Sequence, residues 1–260
     1  MTFFKLLFRI LRQKPVKTLR TIASKKRLQG TIWLEKNKVS MNNLIDLIGK
    51  DKNLLNESKN FEKKLLIDKK EIIKNLPITG GIKGSTGGGG GNIFILYYII
   101  RSLNPNVVIE SGVSAGLSSS TIIQALEKNK KGNLYSSDLN SHLEKKDVGI
   151  LIPTELKYRW KLFDEGDKIN LPKILDEVEN VDVVYYDSEK SYEGKKNFIE
   201  KILTKYKPKI IVIDDIDRDY WFRDFINGDI GNYKYLIVKN VGYLIKKYFS
   251  NFLKIFKRIR

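Results

Sequence analysis

The sequence predicts an α/β fold, in which helices cover both faces of a doubly wound, mostly parallel sheet. From residue 93 onward, short apolar runs rich in β-branched residues alternate with segments of helical periodicity. This alternation is typical of parallel strands joined by crossover helices. Only Asn240 separates the last two apolar runs, so these two are predicted to form an antiparallel hairpin. The runs together predict a seven-stranded, Rossmann-like sheet with an antiparallel closing hairpin, preceded by an N-terminal helical extension.

Each element of this fold follows from its residue pattern. We predict a helix over residues 93–103, a buried strand at 107–110, a helix over 118–129 and a second strand at 133–138. Later apolar runs predict three more strands and the hairpin, and amphipathic segments predict two more helices: strands 159–163, 181–187 and 209–215, hairpin strands 234–239 and 241–246, and helices 171–178 and 193–206. Ligands of such a sheet bind at the carboxyl ends of its strands, so we expect the site there.

Composition divides the chain into five segments. Residues 93–246 form the predicted catalytic domain, and residues 31–78 carry helix-spaced Leu and Ile that predict a helical cap. Between them, residues 79–92 form a loop in which eight of fourteen residues are glycine. The loop lacks the residue order of a phosphate-binding loop, so it is either a flexible cover over a pocket or a linker. The outer segments, 1–30 and 247–260, are basic and amphipathic.

Composition also excludes several kinds of site. The chain has no cysteine and a single histidine, His142. Disulfides, thiolate metal sites and metal sites built on several histidines are therefore excluded. Carboxylate oxygens remain as the ligands for a metal ion. The lack of cysteine favours a reducing compartment, and we expect a cytoplasmic protein.

The positive charge of the chain is concentrated at its two ends. Residues 1–30 hold nine Lys or Arg and residues 246–260 hold six, both without an acid, so the net charge of +18 falls to +3 for the chain between them. A central domain this close to neutral argues against a nucleic-acid partner. Large apolar residues opposite Lys and Arg are typical of helices in an anionic membrane interface. We expect peripheral contact with the inner face of the membrane; packing on the domain, or on a second subunit of a homo-oligomer, is the alternative.

A loop of small residues follows the first predicted strand. Residues 112–116 spell G-x-S-x-G, the pattern of a serine hydrolase elbow with Ser114 as nucleophile. The only histidine, His142, follows one helix and one strand later, which is too little chain for the usual triad. The alternative is a cofactor loop: a strand ending in an acid, Glu110, then small residues that let a ligand approach the backbone, then the amides of a helix N-terminus. Asp138 ends the next strand, where an acid can accept the hydroxyls of a ribose.

The segment from Glu110 to Ser118 resembles motif I of class I S-adenosylmethionine-dependent methyltransferases. It has the E-x-G-x-x-x-G-x-S form of catechol, caffeoyl-coenzyme A, sugar and macrolide O-methyltransferases. A nicotinamide enzyme fits less well, because the dinucleotide fingerprint has glycine where Ser114 and Leu117 stand. The resemblance spans about residues 93–246. It implies that S-adenosylmethionine binds at the loop, at the acid after the second strand and at a segment that lies against adenine: Glu110, Gly112, Ser114, Gly116, Ser118, Asp138 and Asp167.

Acidic residues also end two later strands. Asp187 follows the fourth strand, and Asp214 and Asp215 end the fifth. Converging carboxylates repel one another, and a hard divalent cation commonly relieves this. The D-x-x-K and D-D patterns resemble metal-dependent O-methyltransferases, which implies Mg²⁺ or Mn²⁺ on the three aspartates and Lys190 as general base, with a pKa lowered by the cation and by burial. The structural alternative is that the aspartates cap a helix and Lys190 pairs with a neighbouring glutamate.

These residues predict metal-assisted transfer of a methyl group from S-adenosylmethionine to one hydroxyl of a vicinal diol. The expected acceptor is a small molecule or a glycan, with the sugar of a glycan or glycolipid preferred. Sugar-modifying relatives more often carry histidine where Lys190 stands, which leaves the acceptor class open. Two other functions stay open: an RNA methyltransferase that uses the basic ends as arms, and a non-catalytic cofactor-binding module that uses them for assembly.

Overall fold

The computed structural model describes residues 25–75, 92–139 and 144–247. Residues 1–24 and 248–260, which make up most of the predicted basic ends, lie outside these ranges, as do His142 and residues 79–91 of the glycine-rich loop. Three helices precede the sheet: α1 (Lys25–Asn37), α2 (Met41–Ile48) and α3 (Lys52–Asn75). The N-terminal helical extension is therefore confirmed. Helix α1 runs across residue 30, where the charge pattern predicts a boundary.

Helices and strands alternate through the rest of the chain. Their order is α4 (Ile93–Leu103), β1 (Val107–Ser111), α5 (Leu117–Asn129), β2 (Asn133–Ser137), β3 (Trp160–Phe163), α6 (Asp167–Glu177), β4 (Val183–Tyr186), α7 (Tyr192–Lys205), β5 (Ile210–Ile213), α8 (Trp221–Asn227), β6 (Tyr233–Val238) and β7 (Val241–Lys246). Two short 3₁₀ turns, Lys145–Asp147 and Thr154–Arg159, lie between β2 and β3. Helix α8 is an element that the residue pattern does not predict.

The strands form one seven-stranded sheet in the order β3-β2-β1-β4-β5-β7-β6. Strands β1 to β5 are parallel, and β7 runs antiparallel between β5 and β6. The predicted fold class is confirmed, including the closing hairpin. The strand order reverses between β1 and β4, so a crevice opens there at the carboxyl ends of the strands.

Apolar side chains fill a layer on each face of the sheet. Neighbouring strand residues point to opposite faces, so Val108 packs with α2, α4 and α5, whereas Ile109 packs with α6, α7 and α8. Tyr185 and Tyr186 also point to opposite faces, Tyr185 into the layer of Val108 and Tyr186 into the layer of Ile109. Because both faces are covered, the central strands β4 and β5 are completely buried and carry only apolar or aromatic residues, as expected of a parallel sheet.

The N-terminal helices wrap around the open edge of the sheet at β6. Leu34 of α1 lies in the layer of α8, whereas Leu44 of α2 lies in the opposite layer. Between them, the N–H of Val39 donates to the carbonyl oxygen of Ile237 in β6 at 2.7 Å. The extension thus covers an edge strand whose backbone could otherwise pair with another chain. No helix within the described ranges is both long and apolar enough to cross a bilayer.

Candidate active site

The loop after β1 and the residue after β4 are in direct backbone contact. Gly112 has φ +92°, in the left-handed region, and a Cβ at this position would lie 2.2 Å from the carbonyl oxygen of Asp187. The N–H of Asp187 also donates to the carbonyl oxygen of Ser111 at 2.8 Å. Only glycine fits here, since both the φ angle and the neighbouring chain exclude a side chain. The predicted cofactor loop and the predicted catalytic strand end therefore share one crevice.

Helix α5 begins at this crevice, directly after Gly116. The φ of Gly116 is +88°, and a Cβ there would lie 2.8 Å from the Cα of Gly149. Gly116 has no side chain, so it caps the helix through its backbone alone, without a side-chain hydrogen bond. The first amide groups of a helix and its dipole favour an anionic group at this position. The amino end of α5 is thus suited to bind a carboxylate.

Glu110, at the carboxyl end of β1, is completely buried. Its Oε1 accepts a hydrogen bond from the hydroxyl of Ser118 at 2.6 Å, and its Oε2 accepts from Ser119 at 2.6 Å and Ser136 at 2.7 Å. Burial raises the pKa of Glu110 to about 7, although the three hydroxyls oppose the rise. Glu110 thus joins β1, α5 and β2. Ser118, predicted to meet the methionine end of the cofactor, donates its hydroxyl to this acid.

Asp138 orders the loop that follows β1. Its Oδ2 accepts hydrogen bonds from the N–H groups of Val113 at 2.7 Å and Ser114 at 2.8 Å. Ser114 has φ +50°, and its carbonyl oxygen accepts from the N–H of Gly149 at 2.9 Å. The carboxylate therefore fixes a strained segment of backbone. The binding of a ribose by Asp138 stays a prediction.

Asp167, the first residue of α6, bridges the ends of β1 and β2. Its Oδ2 accepts from the hydroxyl of Ser111 and its Oδ1 from the hydroxyl of Ser137, both at 2.6 Å. Burial raises the pKa of Asp167, and the hydroxyl donors oppose the rise. The structure thus places this residue next to the loop of Gly112. Its predicted contact with adenine stays a prediction.

The three aspartates after β4 and β5 come together around Lys190. The Lys190 Nζ contacts Oδ1 of Asp187 and lies 3.3 Å from Oδ2 of Asp215. Oδ1 of Asp214 accepts from the N–H of Asp215 at 2.8 Å. The lysine side chain is 39% exposed, so it reaches the surface of the crevice. In the described ranges, no set of three His, Cys, Asp or Glu side chains is arranged to hold a metal ion.

The pKa values of these aspartates reflect both their burial and the charges of their neighbours. Burial raises the pKa of Asp214 to about 7, and the charges of Asp187 and Asp215 contribute to the rise. Burial also raises the pKa of Asp187, against the attraction of Lys190. At Asp215, burial is outweighed by the charges of Lys190 and Arg218, so its pKa is lowered. One ammonium does not balance the whole cluster.

The expected lowering of the pKa of Lys190 depends on a bound cation as well as on burial, and it stays a prediction. Burial does lower this pKa, but the charges of Asp187, Asp215 and Asp214 together raise it by more, and the net shift is upward. The reason is that all three carboxylates lie near the same ammonium group. While it is paired in this way, Lys190 carries a positive charge at neutral pH.

The sequence pattern did not identify the hydroxyl groups that hold the acids. Ser119 and Ser136 donate to Glu110, and Ser111 and Ser137 donate to Asp167. Each of these four serines lies within one or two residues of a predicted site residue or of a serine run. This adjacency is the sequence feature that could have identified them. The pattern also gave no role in the site to Asn240. Its Nδ2 donates to Oδ1 of Asp215 at 3.0 Å.

A family model and several solved structures are similar to this chain. Residues 109–216 match a family model described as a methyltransferase domain. No curated protein sequence matches the chain. An O-methyltransferase from Bacillus cereus, solved with SAH, is 14% identical with a TM-score of 0.48, and the alignment covers 82% of this chain and 100% of that one.

Two further solved structures are similar to a comparable degree. A methyltransferase from Geobacter sulfurreducens is 14% identical with a TM-score of 0.49, over 71% of this chain and 89% of that one. CalS11, a TDP-rhamnose 3'-O-methyltransferase of calicheamicin biosynthesis, is 19% identical with a TM-score of 0.48, over 73% and 93%. At these identities and scores, no residue role is transferred from the solved structures.

Proposed function

We propose that the protein is a class I, S-adenosylmethionine-dependent O-methyltransferase, because residues 109–216 match a methyltransferase domain model. We further propose that it methylates one hydroxyl of a vicinal diol, on a sugar of a glycan or glycolipid. The observation that carries this proposal is the contact between Gly112 and Asp187. It brings the loop proposed for the cofactor against the strand end that bears Lys190. Donor and acceptor must meet within a few ångströms for transfer, and a shared crevice provides this proximity.

The described residues fit S-adenosylmethionine in their chemistry. The amino end of α5 has amides that suit the cofactor carboxylate. Asp138 and Asp167, which follow β2 and β3, supply carboxylates that suit its hydroxyl and amino groups. The cofactor supplies the sulfonium methyl group and its own leaving group, so the protein has to align the acceptor with that methyl group.

The side chains at the ends of β4 and β5 suit a divalent cation in their chemistry, although the described carboxylates are not arranged around a common centre. Asp187, Asp214 and Asp215 supply only oxygen ligands, as Mg²⁺ and Mn²⁺ prefer. Burial raises the pKa of Asp214 to about 7, and the neighbouring charges of Asp187 and Asp215 add to the rise. We propose that these three residues would hold the ion. When bound, it would lower the pKa of the acceptor hydroxyls.

Lys190 is the residue proposed to handle the acceptor proton. While Asp187 and Asp215 pair with it, its ammonium stabilises negative charge on the acceptor oxygen. If those carboxylates turn to another partner, the charges that raise its pKa are removed, and the amine can take the proton of the hydroxyl. Its partial exposure at the crevice places either form within reach of an acceptor.

The test is methyl transfer from tritium-labelled S-adenosylmethionine to a panel of acceptors. The panel contains a methyl glycoside with adjacent hydroxyls, its monodeoxy counterpart, a catechol and a transcribed RNA. We expect label on a diol and none on the monodeoxy control, with loss of transfer in chelator and recovery on adding Mg²⁺ or Mn²⁺. Label on RNA alone would overturn the acceptor class. Full transfer in chelator would overturn the metal role and leave the methyltransferase assignment in place.

We also propose that the basic ends bring the enzyme to an anionic membrane surface. Support comes from the sequence, which places fifteen Lys or Arg and no acid in residues 1–30 and 246–260. A variant lacking residues 1–24 and 248–260 keeps every described residue and is the matched control. Full-length protein should float with phosphatidylserine vesicles and the variant should not. Equal flotation would contradict the proposal, and a smaller molar mass of the variant in light scattering would favour packing on a second subunit.

A further inference from the structure

A completely buried lysine lies beneath the turn that carries Asp214 and Asp215. Lys195, on α7, has a side chain that is 0% exposed. Its Nζ contacts Oδ2 of Asp219 and donates to the backbone carbonyl oxygen of Asp215 at 3.2 Å. A buried ammonium is costly unless it is paired and hydrogen-bonded. Neither the sequence pattern nor the proposed chemistry gives Lys195 a role.

The turn after β5 has a backbone conformation that needs support. Asp215 has φ +51°, in the left-handed region that residues other than glycine seldom adopt. Its carbonyl oxygen accepts from Lys195 and also from the N–H of Arg218 at 3.1 Å. On the other side of the turn, Asn240 binds the Asp215 side chain, and its carbonyl oxygen accepts from the N–H of Ile216 at 3.0 Å. Asn240 thus holds the side chain of Asp215, and Lys195 holds its backbone.

Asp219 connects this lysine to α8. Its Oδ1 accepts from the N–H of Trp221 at 2.7 Å, while its Oδ2 contacts Lys195. The indole N–H of Trp221 donates to Oε1 of Glu200 on α7 at 3.1 Å. The side chain of Asp219 is only 11% exposed, so water competes little for these contacts. The contacts make α7, the turn and the start of α8 one connected unit.

We infer that Lys195 is a positioning residue for the proposed reaction. Its ammonium fixes the carbonyl of Asp215, and this holds the left-handed conformation in which the Asp215 carboxylate lies beside Lys190. Lys195 is buried away from the crevice and acts only through Asp215. The effect of Lys195 on kcat rests on the proposed function. Its effect on the conformation of the turn after β5 does not.

The decisive variant combines Lys195→Met with Asp219→Asn. Lys195→Met alone leaves the buried Asp219 carboxylate without its ammonium, a change costly enough to threaten folding. The double variant removes both charges, and the amide oxygen introduced at position 219 still accepts from the N–H of Trp221. We expect the double variant to fold, to bind S-adenosylhomocysteine as the wild type does, and to lose on the order of 10- to 100-fold in kcat, because small displacements of reacting groups are costly.

Hydrogen exchange of the amides at residues 214–219, measured by mass spectrometry, gives a readout that does not depend on turnover. We expect faster exchange there in the double variant and unchanged exchange at residues 112–116. Lys196→Met is the matched control, because Lys196 is the next residue on α7 and is exposed. It should leave both exchange and turnover unchanged.

Asp219→Asn alone separates the two contacts of Lys195. It keeps the bond from Lys195 to the Asp215 carbonyl, so the turn should stay better protected from exchange than in the double variant, although loss of the buried ion pair lowers the global stability. If it loosens the turn as much as the double variant does, or if the double variant exchanges like the wild type, the inference is overturned. Should the wild type methylate no acceptor at all, the proposed function fails, and the exchange comparison still decides the role of Lys195.

Discussion

Two groups of carboxylates lie at the carboxyl ends of the parallel strands, and different chemical groups hold them. At the ends of β1 and β2, Glu110 and Asp167 accept hydrogen bonds from serine hydroxyls. At the ends of β4 and β5, Asp187 and Asp215 contact the ammonium of Lys190. Hydroxyls orient a carboxylate without cancelling its charge, whereas an ammonium does both.

The pKa values follow this division at Asp215 but not at its neighbours, since the pKa of Asp187 is raised and that of Asp214 is raised to about 7. Burial raises the pKa of Glu110 to about 7 despite three serine donors, whereas Lys190 and Arg218 lower the pKa of Asp215 against the effect of burial. Glu110 and Asp167, at the ends of β1 and β2, form the hydroxyl-held half of the site, and this half is internal. The lysine-held half, at β4 and β5, has a partly exposed cation that can change partners. We propose that the first half supports the cofactor loop and the second provides the chemistry.

The largest expected effect on stability comes from breaking the contact between the two halves. In Gly112→Ala, the new Cβ meets the carbonyl oxygen of Asp187 at 2.2 Å and the residue keeps a φ of +92°. Strain and overlap together should lower the free energy of unfolding by on the order of 4 kcal/mol. Thermal and urea denaturation measure this directly.

Gly231→Ala is the control for Gly112→Ala. Gly231 also has a positive φ, +54°, but nothing lies within 4 Å of a Cβ there. Gly231→Ala should lower the free energy of unfolding by about 1 kcal/mol, from backbone strain alone. Equal losses in the two variants would mean that the contact with Asp187 contributes nothing.

A second prediction concerns the pH dependence of the hydroxyl-held half. The carboxyl of Glu110 has a folded-state pKa of about 7 against an ordinary value of 4.5. Between these values the unfolded chain releases the proton and the folded chain keeps it, so the stability that Glu110 contributes is present below pH 4.5 and is lost as pH rises through 7. The loss is about 3 kcal/mol across the window.

Glu110→Gln removes this titration and keeps the side-chain shape. Urea denaturation at a series of pH values should show the wild type losing stability relative to the variant as pH rises from about 5 to about 8. Parallel curves, or the opposite slope, would mean that the serines neutralise the carboxylate as effectively as a lysine would.

The smallest expected effect tests a hydroxyl in the lysine-held half. Ser191 caps α7, since its Oγ accepts from the N–H of Gly194 at 3.0 Å. Ser191→Ala should cost about 1 kcal/mol of stability and should also lower kcat, because Ser191 adjoins Lys190. Ser40→Ala removes the equivalent cap of α2 and should cost a similar amount of stability with no change in kcat. If both leave kcat unchanged, the cap does not position Lys190.

The positions of β4 and β5 could be predicted because both strands are buried on both faces and therefore read as continuous apolar runs. The predicted strand 181–187 is observed as Val183–Tyr186, and 209–215 as Ile210–Ile213. Each predicted strand is longer than the observed one at both ends, because the prediction includes residues that lie outside the sheet. Helix α8 was not predicted, because its seven residues are too few to display a helical period.

Contacts within the site were less predictable than the fold. The spacing of the motifs predicted that Asp187, Asp215 and Lys190 lie close together, because the carboxyl ends of parallel strands meet at one edge of the sheet. It did not reveal which serines donate to Glu110, because those bonds depend on how α5 and β2 pack. The upward shift in the pKa of Lys190 depends on the distances to three carboxylates, and residue order does not supply such distances.

The rate of methyl transfer in Lys190→Met tests the proposed role of the lysine-held half directly. We expect the single-turnover rate to fall on the order of 10²- to 10⁴-fold, while the affinity for S-adenosylmethionine, measured by calorimetry, stays at the wild-type value. Lys173→Met, which removes an exposed lysine paired with Glu165 on the surface, should change neither quantity. A wild-type rate in Lys190→Met would contradict the assignment of chemistry to the lysine-held half.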